Sequence, residues 1–168
     1  VTARGEKRQG LMSARVIMIK GVPHMISIMR DITDRLKYEE ALKESEEKYR
    51  ELFNNANDAI FINRLDENGR VRDFMEMNDM ALKMTGYTRE EFFAMTPHKL
   101  SAPEYLAEYP EIGRQLAERG KATYIQEIIT KDGRRLHVEN SSHRFVLKGV
   151  PIVMTLMRDI SERIKAEQ

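Results

Sequence analysis

The apolar positions change their period several times along the chain, and each change marks an element. Between residues 34 and 56 the run DRLKYEEALKESEEKYRELFNNA is rich in Leu, Glu, Lys and Arg and lacks Gly and Pro, which predicts a helix. Within it Tyr38, Leu42, Ser45, Tyr49, Leu52 and Ala56 follow 4-3-4-3-4 spacing. That is a seam of a and d positions over about three heptads. A parallel coiled coil between two chains fits it, with Tyr38, Leu42, Tyr49 and Leu52 at the contact. An amphipathic helix packed on its own domain is the alternative.

The period then shortens. Ala59 to Ile62 is a short apolar strand, Asp66-Glu67-Asn68-Gly69 a turn, and Val71 to Met75 the return strand. Asn78 to Met84 reads as a helix stopped at Gly86, and Thr88 with Glu91 forms a capping box for a helix from Arg89 to Met95. Pro97 and Pro103 punctuate a loop; Pro103 to Arg119 predicts a longer helix, interrupted near Pro110 and ended at Gly120. Ala122 to Thr130, Arg134 to Leu147 and Val150 to Met157 are strands separated by Lys131-Asp132-Gly133 and Lys148-Gly149. In the last strand Ile152, Met154 and Leu156 occupy one face and Val153, Thr155 and Met157 the other, so both faces are expected to be covered. Arg158-Asp159-Ile160-Ser161 opens a further helix, with Asp159 or Ser161 as N-cap. The order predicts an α+β domain, an antiparallel sheet with helices over one face.

A repeat reorganises this picture. Residues 20–37, KGVPHMISIMRDITDRLK, match residues 148–165, KGVPIVMTLMRDISERIK, at an ungapped offset of 128. Lys20, Gly21, Val22, Pro23, Met29, Arg30, Asp31, Ile32, Arg35 and Lys37 are identical to their partners, and Thr2, Gly5 and Ser13 keep the register upstream. Residues 1–33 therefore read as the C-terminal strands of a preceding copy, 34–56 as a linker helix, 57–160 as one complete copy and 161–168 as the start of an outgoing helix. Strands without their sheet have unpaired edges and need a partner, in the same chain or a second one.

Composition narrows the function. The 168 residues hold 28 Lys+Arg, 27 Asp+Glu and no Cys. A net charge of +1 supplies no field for nucleic acid or an anionic membrane. No apolar run reaches the roughly 20 residues of a membrane span. Without Cys there is no disulfide, thiolate metal site or Cys nucleophile, which fits a reducing cytoplasm. Glycine-rich phosphate loops, nucleophile elbows and paired-His motifs are missing, so no catalytic residue is assigned. His137, Glu139, Ser141 and His143 alternate onto one strand face, but His143 lies about 20 Å from His137 along an extended strand, so no metal is expected there. His98 reads as a lid or solvent residue.

SEEKYRELFNNANDAIFI (45–62), GYTREEF (86–92), KDGRRLHVENSS (131–142) and MRDISERIKAEQ (157–168) together resemble the PAS domain family of sensory signalling proteins. The resemblance implies a five-stranded antiparallel sheet with short helices around a small pocket, flanked by amphipathic linker helices. It implies a module upstream of a histidine kinase or similar output domain that dimerises through its flanking helices; the unpaired edges of the N-terminal strands are then met by folding back or by swapping between chains. The family passes sheet changes to the outgoing helix where the last strand ends, which marks Asp31 with Arg35 and Asp159 with Arg163 as relay pairs. Light-sensing members that form flavin adducts need a Cys, which is absent here; no residue argues for non-covalent flavin. Haem members carry an axial His where EYLAEY (104–109) puts Tyr109, so haem is not expected. The cofactor is none or an unknown small molecule. Pocket candidates on the family's pattern are Phe61, Asn63, Met75, Asn78, Met84, Tyr87, Phe93, Tyr105, Tyr124 and Glu127. The expected function is a cytoplasmic sensory and dimerisation module of a sensor histidine kinase; the alternative is a ligand-free spacer and interaction domain.

Overall fold

The computed structural model describes residues 5–167, so the first four residues of the expected preceding copy and Gln168 of the outgoing helix lie outside the described residues. The chain divides near residue 50 into two compact units.

The larger unit is built on five antiparallel strands: β3 (Ala59–Leu65), β4 (Val71–Met77), β5 (Lys121–Ile129), β6 (Arg135–Leu147) and β7 (Val150–Asp159). Their order across the sheet is β4-β3-β7-β6-β5. Between β4 and β5 lie α2 (Asp79–Thr85), α3 (Arg89–Ala94), two single 3₁₀ segments at Pro97–Leu100 and Pro103–Glu108, and α4 (Tyr109–Arg119). The expected α+β fold with a five-stranded antiparallel sheet is therefore present. The expected long helix from Pro103 is split: its first six residues are 3₁₀, and Pro110 sits in the first turn of α4, where its missing N–H costs nothing. α2 stops at Gly86 in the left-handed region, and Thr88 and Glu91 exchange both capping-box bonds.

The core follows from strand alternation. Phe61 on β3, Phe74 on β4 and Phe92 on α3 meet with ring centroids 5.0–5.6 Å apart. Met77, Ala81, Leu100, Ile128, Val138 and Met157 pack around them. A second cluster joins Leu65, Ile112, Leu116, Ala122 and Val153. On β7 both Ile152 and Val153 are buried, as a strand apolar on two faces requires.

The smaller unit holds a hairpin, β1 (Gly10–Ile19) and β2 (Val22–Asp31). It reproduces β6–β7 position for position. Gly10 pairs Asp31 and Ile19 pairs Val22; 128 residues on, Val138 pairs Asp159 and Leu147 pairs Val150. The turns match as well. Lys20 and Gly21 have φ of 49° and 77°, Lys148 and Gly149 of 50° and 79°, the paired positive values of a tight two-residue hairpin turn.

α1 (Thr33–Asn54) follows β2 and α5 (Ser161–Glu167) follows β7. Both begin with the same bonds. Ile32 N donates to Gln9 O and Ile160 N to His137 O, each at 2.9 Å. Gln9 N donates to Thr33 Oγ1 at 2.8 Å, and His137 N to Ser161 Oγ at 3.0 Å. Thr33 N donates to Asp31 Oδ1 at 3.0 Å, and Ser161 N to Asp159 Oδ1 at 2.8 Å. Asp159 thus accepts from the first turn, whereas Ser161 turns its hydroxyl back to β6 instead of capping the helix.

Candidate functional site

A cavity of about 50 Å³ lies between the inner face of the sheet and the segment 97–101. Strand alternation puts Phe61 and Phe74 on one wall and Tyr124, Gln126, Asn140, Thr155 and Met157 on the other. Pro97, His98, Leu100 and Ser101 form the roof, where Pro97 starts the 3₁₀ turn, and Tyr109 enters from α4. The His98 ring lies against the Tyr109 ring with centroids 4.6 Å apart.

Most polar groups here serve one another. Ser101 Oγ and Tyr109 Oη are hydrogen-bonded to each other, and Gln126 Oε1 stands 3.1 and 3.3 Å from them. Ser142 and Thr155 hydroxyls pair at 2.8 Å beside them. Burial among these walls pushes the Tyr109 phenol up, opposed by its bonds to Ser101 and Gln126. It pushes Tyr124 up to about 12, opposed by Ser142. Asn140 breaks the pattern. It is fully buried, and among the described residues neither its Oδ1 nor its Nδ2 has a hydrogen-bond partner. A buried amide left so costs about 1–3 kcal/mol per group.

Of the ten pocket candidates, Phe61 and Tyr124 line this cavity. The others lie elsewhere for separable reasons. Register shifts in the β3–β4 pairing oppose Phe61 to Met77 and Asn63 to Phe74, which leaves Met75 half-buried between them and brings Phe74 inward. Asn63 is buried on β3 and its amide reaches Asp73 O at 3.5 Å. Asn78 is satisfied: its Oδ1 accepts from Ile60 N and Ala81 N, and its Nδ2 donates to Phe53 O and Asp58 O. It is a cap that fixes α2 to β3, not a free ligand contact. Met84 and Tyr87 pack against the core, Tyr87 edge-on to Phe92. Phe93 is 52% exposed because the helix turns Phe92 inward. Tyr105 is half-buried in the 3₁₀ segment, and Tyr109, one turn later, reaches the cavity instead. Glu127 lies on the opposite face of β5 from Gln126, bonded to Arg135 at 2.6 Å and His137 at 2.9 Å.

The relay pairs also rearrange. Asp31 does not pair with Arg35: it accepts from Arg8 at 2.8 Å, and Arg35 binds Glu39 one turn along α1 at 2.7 Å. The Arg8 guanidinium, with Thr33, holds the Asp31 carboxyl well below its ordinary range. The position matching Arg8 is Leu136, which packs against the core, so Asp159 lacks this partner. Arg163 reaches Glu139 at 3.8 Å rather than Asp159. Along α1, Tyr38, Leu42, Tyr49 and Leu52 are 77%, 61%, 49% and 68% exposed. Among the described residues no three His, Cys, Asp or Glu side chains converge on a metal site, and no helix is long and apolar enough to cross a membrane.

Residues 46–162 match the PAS domain family. The chain belongs to the PAS domain family. The PAS domain of an HTR-like protein from Haloarcula marismortui superposes with a TM-score of 0.61 at 24% identity, covering 74% of this chain and 98% of that one. A domain of a sensory box sensor histidine kinase/response regulator from Geobacter sulfurreducens gives 0.56 at 25% identity, over 70% and 96% of the two chains. A methyl sulfide methyltransferase-associated sensor of Methanosarcina acetivorans is 30% identical over 128 residues, 76% of this chain; the chain spans 12% of that relative's length. The cavity is thus the interior of a PAS sensory domain, roofed by the segment around His98. It is far smaller than the roughly 300–1,000 Å³ of drug-sized sites.

Proposed function

We propose that this PAS domain is an internal relay of a tandem array in a longer, cytoplasmic sensor histidine kinase. Residues 1–33 are the end of a preceding PAS domain, 34–56 the linker, 57–160 the sensing domain and 161–168 the outgoing helix. The observation that carries this reading is the strand-to-helix junction made twice with the same bonds, at Asp31–Thr33 and Asp159–Ser161. In each, the first arm of the hairpin holds the first residues of the helix, through Gln9 just before β1 or His137 within β6. His137 shares β6 with Asn140, so a ligand in the cavity and the root of α5 act on one strand. A ligand or partner that favours one of two sheet arrangements then changes how α5 is seated, and one that binds both equally transmits nothing. The α1 seam of Tyr38, Leu42, Tyr49 and Leu52 joins two copies as a coiled coil. The printed names of the Methanosarcina and Geobacter relatives, a sensor and a sensor histidine kinase, support the assignment.

Hydrogen exchange tests the array. β7 pairs on both sides, with β3 and β6, whereas among the described residues β2 pairs with β1 alone. Alternate amides of β2 are expected to exchange fast in this chain and to slow by about a hundredfold or more in the full-length parent, where the preceding domain supplies the missing strand. Equal fast exchange in both proteins overturns the assignment. Slow exchange already in the isolated chain identifies strands swapped between two copies.

A second reading, a ligand-free spacer and interaction domain, is favoured by the hairpin. Met12, Val16, Met25, Ile28 and Met29 are 63–72% exposed on its two faces. Exposed apolar surface of this kind marks an interface.

A further inference from the structure

We propose that the cavity selects a small uncharged molecule bearing a hydrogen-bond donor and acceptor side by side, an amide-like group read by the Asn140 carboxamide. This deepens the sensory reading above and rests on it.

The unpaired Asn140 side chain is the starting point. It lies on the inner face of β6 between Tyr124 of β5 and Met157 of β7, both of which line the same cavity. The residue is fully buried and faces this cavity. Its unpaired Oδ1 accepts and its unpaired Nδ2 donates, and the two sit on one planar group. The group that satisfies both at once is planar too and offers the reverse pair, as a primary amide or urea does. The neighbouring polar groups do not compete for Asn140, because Ser101, Tyr109 and Gln126 already bond among themselves.

Charge disfavours the ionic alternatives. Among the described residues no Lys, Arg, Asp or Glu lines the cavity; its titratable groups are His98, Tyr109 and Tyr124. Glu127, nearby in sequence, is turned to the other face and held by Arg135 and His137. A cation entering would lose its hydration without gaining a counter-charge, and an anion would find only the His98 imidazole. Size sets the remaining limit. A volume of about 50 Å³ holds roughly three to five water-sized groups at about 10–15 Å³ each. That is the size of acetamide or urea. Phe61, Phe74, Leu100 and Met157 offer apolar contact to a short alkyl end.

The test is an NMR titration of this chain with acetamide, acetate and methylammonium, three probes of similar size and different charge, at fixed ionic strength. Acetamide is expected to shift the Asn140 side-chain NH₂ pair saturably, together with the Tyr124 and Gln126 amides. Acetate and methylammonium are expected to bind at least about tenfold more weakly. Asn140→Leu, close in volume, is expected to abolish the acetamide response. The wild-type probe series decides the matter by itself if that variant does not fold. Saturation by acetate in place of acetamide overturns the amide class and leaves the sensory reading standing. Contact of the Asn140 NH₂ with ordered water, and no response to any probe, overturns the class and supports the ligand-free spacer.

Discussion

The hairpins β1–β2 and β6–β7 share a register, a turn and a helix-starting junction, yet they live in opposite surroundings. Met157 is 5% exposed, while Met29, the same residue 128 positions earlier, is 72% exposed. β7 is sandwiched between β3 and β6 in a five-stranded sheet, and β2 has one neighbour in a two-stranded sheet. Local geometry therefore follows from local sequence: Lys-Gly makes the turn, and Asp-Ile-Thr or Asp-Ile-Ser makes the junction. Burial is supplied from outside the repeat. A hairpin alone is marginal in water, so most of the stabilisation that β7 enjoys comes from neighbours that β2 lacks here.

The largest expected effect separates the two copies by one substitution made twice. Met157→Ala should lower the stability of the PAS domain by about 2–5 kcal/mol, because it empties a packed position. Met29→Ala should stay within about 0.5 kcal/mol, as at an exposed site. Guanidinium unfolding of the whole chain measures both. Similar losses at the two positions would mean that the first hairpin is covered in solution, and the contrast in burial would fall.

A smaller effect asks whether the junctions are energetically alike. Ser161→Ala leaves the His137 amide without its acceptor, and Thr33→Ala does the same to the Gln9 amide. Each loss is worth about 1 kcal/mol, or about fivefold faster exchange at that amide. Equal factors at His137 and Gln9 make the junction a self-contained device. A much larger factor at Gln9 would show that the five-stranded sheet props up the second junction.

How far the sequence reveals this molecule depends on the period being read. The repeat, the five-stranded antiparallel sheet, the Thr88–Glu91 capping box and the stops at Gly86 and Gly120 were legible because each rests on local chemistry. The cavity was less so, since its lining depends on which of two adjacent residues points inward. Irregular β3–β4 pairing puts Phe74 in the lining instead of Met75, and the face of α3 sends Phe92 into the core and leaves Phe93 exposed. Gln126 lines the cavity in place of the expected Glu127, and period-2 alternation from Tyr124 already separates the two. Asn140 is not among the expected lining residues, because the His137, Glu139 and Ser141 alternation carries the more conspicuous polar groups. The opposite face, Val138-Asn140-Ser142, is the buried one, and two polar residues on it were the available signal.

The subtlest effect concerns the one place where the junctions differ in charge. Asp31 is bound by Arg8, and the matching position in the second copy is Leu136. The hydrogen bond from Arg8, followed by those from Thr33, depresses the Asp31 carboxyl below its ordinary value of 3.8. In the unfolded chain Asp31 takes up its proton first as pH falls. Stability from this carboxylate is therefore complete above pH 3.8 and is lost progressively below it, through the depressed native value. Arg8→Leu copies the second junction into the first. It should raise the Asp31 midpoint toward 3.8 and narrow the acid window over which the first hairpin weakens. Carboxyl NMR titration reads the midpoint directly. Both residues lie in an exposed pair, so salt should erase part of the shift. An Asp31 midpoint unchanged by Arg8→Leu would assign the depression to the Thr33 bonds. Those bonds have their counterpart at Ser161, so the two junctions would then be electrostatically alike despite the different residues at 8 and 136.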